Sequence, residues 1–191
     1  QFEKAQELFQ RSILIHPENE NALLGLALIS AQEDRLSDAI NYYLEIIRLS
    51  PSHERALHDI GAIYLIEGDY DTATRYLENL YNISSKSISG LVNYATALSA
   101  IGQTDRAVKL YHEAVEMGAE VEECCYSICV SLERTNQLTQ LASFLTKECL
   151  DQFKGSSHWH LSFATLKYRD RDFKGAISVL KKVNLEDLSM T

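Results

Sequence analysis

Apolar residues recur along the chain at three- and four-residue spacing, the signature of amphipathic helices, and one small residue returns at a fixed interval. Ala5, Ala39, Ala73 and Ala107 stand 34 apart, followed by Leu141 and, after a step of 35, Ala176. Four residues beyond each comes a large side chain, Phe9, Tyr43, Leu77, Tyr111, Leu145 and Leu180, on the same helical face one turn on. A second series, Ala27, Gly61, Ala95, Cys129 and Ala164, follows at steps of 34, 34, 34 and 35 and marks a preceding helix. Leu23 and Leu26, Leu57 and Ile60, and Leu91 and Tyr94 complete its apolar stripe. Each unit thus predicts two amphipathic helices, and the small residues let neighbouring helices approach closely.

Turn chemistry falls between the stripes. Asp34, Gly68, Gly102 and Asn136 lie between the two helices of successive units and are residue types that accept the left-handed conformation ending a helix. Pro17 and Pro51, the only prolines, fall 34 apart after a second helix, where the backbone must leave the helix. Ser85, Ala119 and Phe153 take that place later. The pattern predicts a second helix of one repeat at residues 2–14 and full repeats at about 20–53, 54–87, 88–121, 122–155 and 156–190, eleven helices in all. A hairpin of this size cannot bury its own apolar face, so stability must come from stacking units in series. The expected architecture is a single all-α solenoid. Gln1 opens inside a helix and no polar capping helix follows Lys182, so the chain reads as a segment of a longer protein.

These recurring residues resemble the tetratricopeptide repeat family from Phe2 to about Val183. The best unit runs from Leu91 to Gly118, where Leu91, Tyr94, Ala95, Leu98, Gly102, Ala107, Tyr111 and Ala114 occupy the family's signature places. Ile60, Gly61, Tyr64, Gly68, Ala73 and Leu77 match nearly as well one unit earlier. The hairpin at about 122–155, the fifth unit when the leading half-repeat is counted, departs, with Cys125 and Cys129 on its first helix and Leu141 at a small-residue place, so less regular packing is expected there. In the last unit Trp159 lies near the family's tryptophan place, but Ala164 and Ala176 fit one residue late, implying a first helix shifted in register or extended.

The resemblance implies a right-handed superhelix whose concave groove, lined by the first helix of each hairpin, holds a peptide or a helix. Carried over by position, the groove residues are Asn21, Leu24 and Leu28; Arg55, His58 and Ala62; Ser89, Val92, Asn93 and Thr96; Glu123, Tyr126 and Val130; and His158, Leu161, Thr165 and Tyr168. Spaced apolar residues there would take up the side chains of a peptide, with Asn93 bonding its backbone. Two specialised grooves of the family do not fit. The carboxylate clamp of chaperone-binding members meets Leu24, Leu28, Asp59, Ser89 and Asn93, and the asparagine ladder of sugar-transferase members meets Gly25, Asp59, Asn93, Ser127 and Ser162. Only Asn93 matches in either.

Composition changes this picture little. Apolar residues are 46% and charged residues 24% of the 191, as in ordinary folded proteins. A net charge of −9 argues against nucleic-acid partners, which need a basic face. The charge is uneven, however: residues 1–153 carry net −12, and residues 154–182 carry net +5. A basic end at Lys167, Arg169, Arg171 and Lys174 is suited to an acidic stretch of a partner. Without an apolar run of membrane-spanning length or a signal-peptide pattern, no membrane insertion is expected, and a cytoplasmic or nuclear setting is.

Candidate chemistry is sparse. Cys124, Cys125, Cys129 and Cys149 lack the histidine or second cysteine pair of a zinc site, so free, mostly buried thiols are expected and no metal or other cofactor. No glycine-rich phosphate loop occurs. His158 and His160 flank Trp159, but residues two apart do not share a helical face, and both are expected at the surface or groove edge. Asn82, Ile83 and Ser84 form a sequon read as accidental. The sequence therefore predicts no enzyme but a scaffold or adaptor for a protein or peptide. The alternatives are the substrate-recruiting arm of a larger enzyme and a structural subunit that self-associates through stacked ends.

Overall fold

The computed structural model describes residues 2–83, 87–134, 136, 138–143 and 157–183, and the elements among them are eleven α-helices. They fall into two compact units, Gln1–Lys86 and Ser87–Thr191. The first holds α1 (Phe2–Ile15), α2 (Glu20–Gln32), α3 (Leu36–Leu49), α4 (Glu54–Glu67) and α5 (Tyr70–Ile83). There α2 pairs with α3 and α4 with α5, while α1 lies against α2 and α3 against α4. The second holds α6 (Ile88–Ala100), α7 (Thr104–Glu116), α8 (Val121–Arg134), α9 (Leu138–Ser143), α10 (Ser157–Arg169) and α11 (Phe173–Leu180). In it α6 pairs with α7 and α10 with α11, and α8 packs on α6, α7 and α10.

Local chemistry sets both ends of the helices. Asn19, His53 and Ser87, 34 apart, accept a hydrogen bond from the backbone N–H three residues on, at 3.2, 3.1 and 3.1 Å. Such caps satisfy a donor that the helix itself cannot, each worth about 1 kcal/mol. Between paired helices Asp34, Gly68, Gly102 and Asn136 all have positive φ, from 56° to 84°, as their types predict. The N–H groups of Arg35, Asp69 and Gln103 then reach back five residues to Ser30, Tyr64 and Leu98, which closes the helix end. Arg171, at the corresponding place in the last hairpin, also takes φ 61°.

The small residues do what their spacing implied. Ala27, Ala39, Ala73, Ala95 and Ala107 are fully buried, as are the large partners Tyr43, Leu77 and Tyr111. A Cβ at Gly61 would stand 2.7 Å from Leu77 Cγ, so α4 and α5 are closer there than any larger residue permits. In the first unit one cluster joins Leu23, Ala27, Ala39, Tyr43 and Ile46 to Ala56, Ile60 and Ile63 of the following hairpin. Stacking, rather than any single hairpin, therefore creates the core. Leu141 is buried where the other units carry alanine, and Cys124 and Cys129 are buried and outside any disulfide. Cys149 and the side chain of Cys125 lie outside the described residues.

The late phase of the last unit has a simple cause. Ala164 lies seven residues after the start of α10, as Ala27, Gly61 and Ala95 do after the starts of α2, α4 and α6. The additional residue therefore falls between Leu141 and Ser157, and α10 itself is neither shifted nor extended.

Candidate functional site

The first helices of the hairpins bury one stripe and leave a second one reachable. On α2, α4 and α6 the buried stripe is Leu23 and Leu26, Leu57 and Ile60, and Leu91 and Tyr94. Beside it lie the positions expected to line a groove. In the first unit Asn21 and Leu28 are exposed and Leu24 half-buried on α2, while Arg55 is exposed and His58 and Ala62 half-buried on α4. In the second unit Ser89 is exposed and Val92, Asn93 and Thr96 are half-buried on α6. Tyr126 is half-buried and Val130 exposed on α8; Leu161 and Thr165 are half-buried and Tyr168 exposed on α10. The side chains of Glu123 and His158 lie outside the described residues.

On α4 these positions are organised by a residue absent from that set. Asp59 accepts hydrogen bonds from Arg55 Nε at 2.6 Å and from Tyr43 OH at 3.1 Å, and its other oxygen lies 2.9 Å from His58 Nδ1. Its side chain is 17% exposed, against 58% for Arg55. Burial pushes the Asp59 carboxyl up, but the bonds from His58, Arg55 and Tyr43 and the Arg55 charge outweigh it and hold it below the ordinary carboxylate value. The Tyr43 phenol is pushed well above its usual value, first by burial and then by the Asp59 charge. Arg55 is raised through its bond to Asp59. The result is an ionised, three-partner hub that fixes Arg55 and His58 on α4.

On α6 and α10 the threonines are turned inward. Thr96 Oγ1 donates to the Val92 carbonyl or shares a 2.8 Å contact with Tyr111 OH, and Thr165 Oγ1 donates to the Leu161 carbonyl at 3.0 Å. A Cβ at Gly25 would enter the Phe9 ring, so that ladder position serves the packing of α1 on α2. In the first unit the second stripe thus combines reachable apolar side chains on α2 with one fixed polar cluster on α4. Among the described residues no three His, Cys, Asp or Glu side chains could hold a metal ion, and no helix is long and apolar enough to cross a membrane.

His160 departs from expectation. It is 8% exposed rather than at the surface or groove edge. The reason is register: it stands four before Ala164, where Leu23, Leu57 and Leu91 stand before their own small residues, all buried. Trp159 is half-buried beside it, stacked on Phe163 with ring centroids 4.9 Å apart. Asp59 and Tyr43 were missed because their pairing spans 16 residues and two helices, although the Arg55–Asp59 spacing was a signal for an ion pair.

Comparison with known proteins agrees with this geometry. Family models for the tetratricopeptide repeat match residues 1–54 and 52–126. Protein O-mannosyl-transferase Tmtc3 of Drosophila melanogaster is 31% identical over 93 residues, 48% of this chain and 10% of that protein. The TPR repeat-containing thioredoxin TTL4 of Arabidopsis thaliana is 27% identical over 117 residues, 61% of this chain and 16% of that protein. The chain thus spans a small part of these relatives. Among solved structures, YrrB, a TPR protein with an unusual peptide-binding site, aligns with TM-score 0.69 at 18% identity, covering 93% of this chain and 91% of its own. MamA aligns with TM-score 0.69 at 14% identity, covering 87% and 90%. With its helical hairpins, its 34-residue period and both family matches in agreement, the chain belongs to the tetratricopeptide repeat family.

Proposed function

We propose that the chain is an interaction scaffold whose first helices hold a peptide or helix of a partner protein. The tetratricopeptide fold supports a protein-interaction scaffold in general. The observation that carries the finer reading is the second stripe on the first helices. Leu28, Val130 and Tyr168 are exposed, and Leu24, Val92, Tyr126 and Leu161 are half-buried. Apolar side chains that stay exposed or half-buried, Leu24 among them although it also packs on the core, match the spaced anchors of a bound segment. On α4 the Asp59 hub replaces this apolar character and presents Arg55 to a polar or acidic side chain. YrrB, with its peptide-binding site, supports a protein ligand for this fold.

The test is capture of partners on the immobilised chain, followed by hydrogen exchange of the complex. Protection gathered on α2, α4, α6, α8 and α10 supports the groove, whereas protection confined to α3, α5 and α7 rejects it. A second reading is favoured by the relatives, of which Tmtc3 and TTL4 are named as a transferase and a thioredoxin and are much longer than their matching segments. In that reading the segment recruits a substrate for a catalytic domain elsewhere in the same protein. Turnover by the parent protein that survives loss of this segment, with unchanged KM for a protein substrate, would exclude it.

A further inference from the structure

Along α4 the reachable face continues past the positions that the repeat assigns to a groove. Arg55, Asp59, Ala62 and Ile66 stand at i, i+4, i+7 and i+11 and so share one face of the helix. Its chemistry changes from end to end. The side chain of Arg55 is 58% exposed and that of Asp59 17%, Ala62 is half-buried, and Ile66 is 76% exposed. Because α4 packs on both α3 and α5, this face is one that the neighbouring helices of its own unit leave open.

The guanidinium of Arg55 is only partly used. Asp59 takes Nε at 2.6 Å, and Nη1 and Nη2 make no other hydrogen bond or ion pair among the described residues. Those two groups form a flat edge that matches the two oxygens of a carboxylate. The ionised Asp59 beside them favours a singly charged carboxylate over a doubly charged phosphate, which it would repel about twice as strongly. The same four places hold Asn21, Gly25, Leu28 and Gln32 on α2 and Ser89, Asn93, Thr96 and Ala100 on α6. Neither set carries a charge, so on these three helices recognition of an ion falls to α4. The face also sets a length, since eleven residues of helix place Ile66 about 16 Å from Arg55. An extended chain covers that distance in about four to six residues, at even separations that keep both side chains on one side.

We propose that α4 selects an extended partner segment carrying a carboxylate for Arg55 and, about four to six residues away, an apolar side chain for Ile66. The carboxylate is that of an aspartate or glutamate side chain. This inference rests on the reading of the first helices as the binding surface and adds to it the charge and spacing of the ligand.

The probe is a phage-displayed library of random peptides long enough to span both contacts, each fused at its C-terminus and so without a terminal carboxylate. Peptides selected on the chain are expected to be enriched in Asp or Glu, with an aliphatic or aromatic residue at the stated separation. For a synthetic selected peptide, fluorescence anisotropy should show affinity about ten-fold lower for Arg55→Gln and for Ile66→Asp. Replacing the peptide's acid by its amide should weaken binding to wild type about ten-fold and leave binding to Arg55→Gln unchanged, a coupling that misfolding would not reproduce. Arg55 and Ile66 are exposed, so circular dichroism should show both variants folded. Selected peptides without acidic enrichment, or a preference for the acid that survives Arg55→Gln, overturn this inference and leave the groove reading standing. Affinity that requires a free terminal carboxylate on the synthetic peptide overturns it as well, because it assigns the anion to a chain end. Selection of no peptide at all overturns both.

Discussion

Replacing Asp59 by alanine tests the hub on α4 in measurable terms. Asp59 accepts from Tyr43 OH, whose side chain is fully buried, and from Arg55, which is largely in water. Truncation leaves the Tyr43 hydroxyl without its acceptor in an apolar core, at about 1–3 kcal/mol. The exposed Arg55 pair adds ~1 kcal/mol or less, and release of a half-desolvated carboxylate offsets part of the total. The expected loss is about 1–3 kcal/mol by urea denaturation at neutral pH. In a double-mutant cycle Tyr43→Phe removes the orphaned hydroxyl, so Tyr43→Phe with Asp59→Ala should cost less than the sum of the two by about 1 kcal/mol. The pH dependence has a definite sign. Because the folded Asp59 carboxyl lies below its ordinary value, its contribution is fully present above the unfolded value of ~3.9 and is lost as pH falls through the folded one. The gap between wild type and Asp59→Ala should therefore close below about pH 4. Strict additivity in the cycle, or a gap that widens on acidification, would refute the hub.

Four further substitutions probe the packing and the turns. Gly61→Ala places a Cβ against Leu77, so it should lower the melting temperature through overpacking of about 1–3 kcal/mol despite a better helix former; an unchanged melt would contradict the close approach. Gly68 has φ 79° with open space around it, so Gly68→Ala should cost only the backbone term of ~1–2 kcal/mol. The reverse change at Asp34, φ 60°, should leave the urea midpoint of Asp34→Gly level or slightly raised. Thr74 is buried and its hydroxyl has no hydrogen-bond partner among the described residues; Thr74→Val should raise stability by about 0.5–1 kcal/mol, and a loss would show that the hydroxyl is satisfied.

Much of the fold is legible in the sequence because a solenoid is quasi-one-dimensional. Within a unit each hairpin meets its neighbours, so the period and the small residues at Ala27, Gly61 and Ala95 reveal both the helices and their close approach. Turns were legible where the residue type matched the conformation, at Asp34, Gly68, Gly102 and Asn136. Arg171 escaped because arginine is no turn former, and only its register places it at φ 61°. His160 escaped for the converse reason, since its polarity suggested the surface while its position belonged to the buried stripe. The Asp59 hub was hidden because side-chain bonds between helices depend on rotamers and burial, which periodicity does not encode.

The central claim is that reachable side chains on the first helices hold the partner. Its most direct test is titration calorimetry of a captured partner against the wild-type chain, Tyr126→Arg with Val130→Arg on α8, and Lys109→Glu on the exposed side of α7. The account predicts about a ten-fold or greater rise in Kd for the α8 variant alone. Unchanged affinity for that folded variant, with loss in Lys109→Glu, would place binding on the second helices and contradict the account.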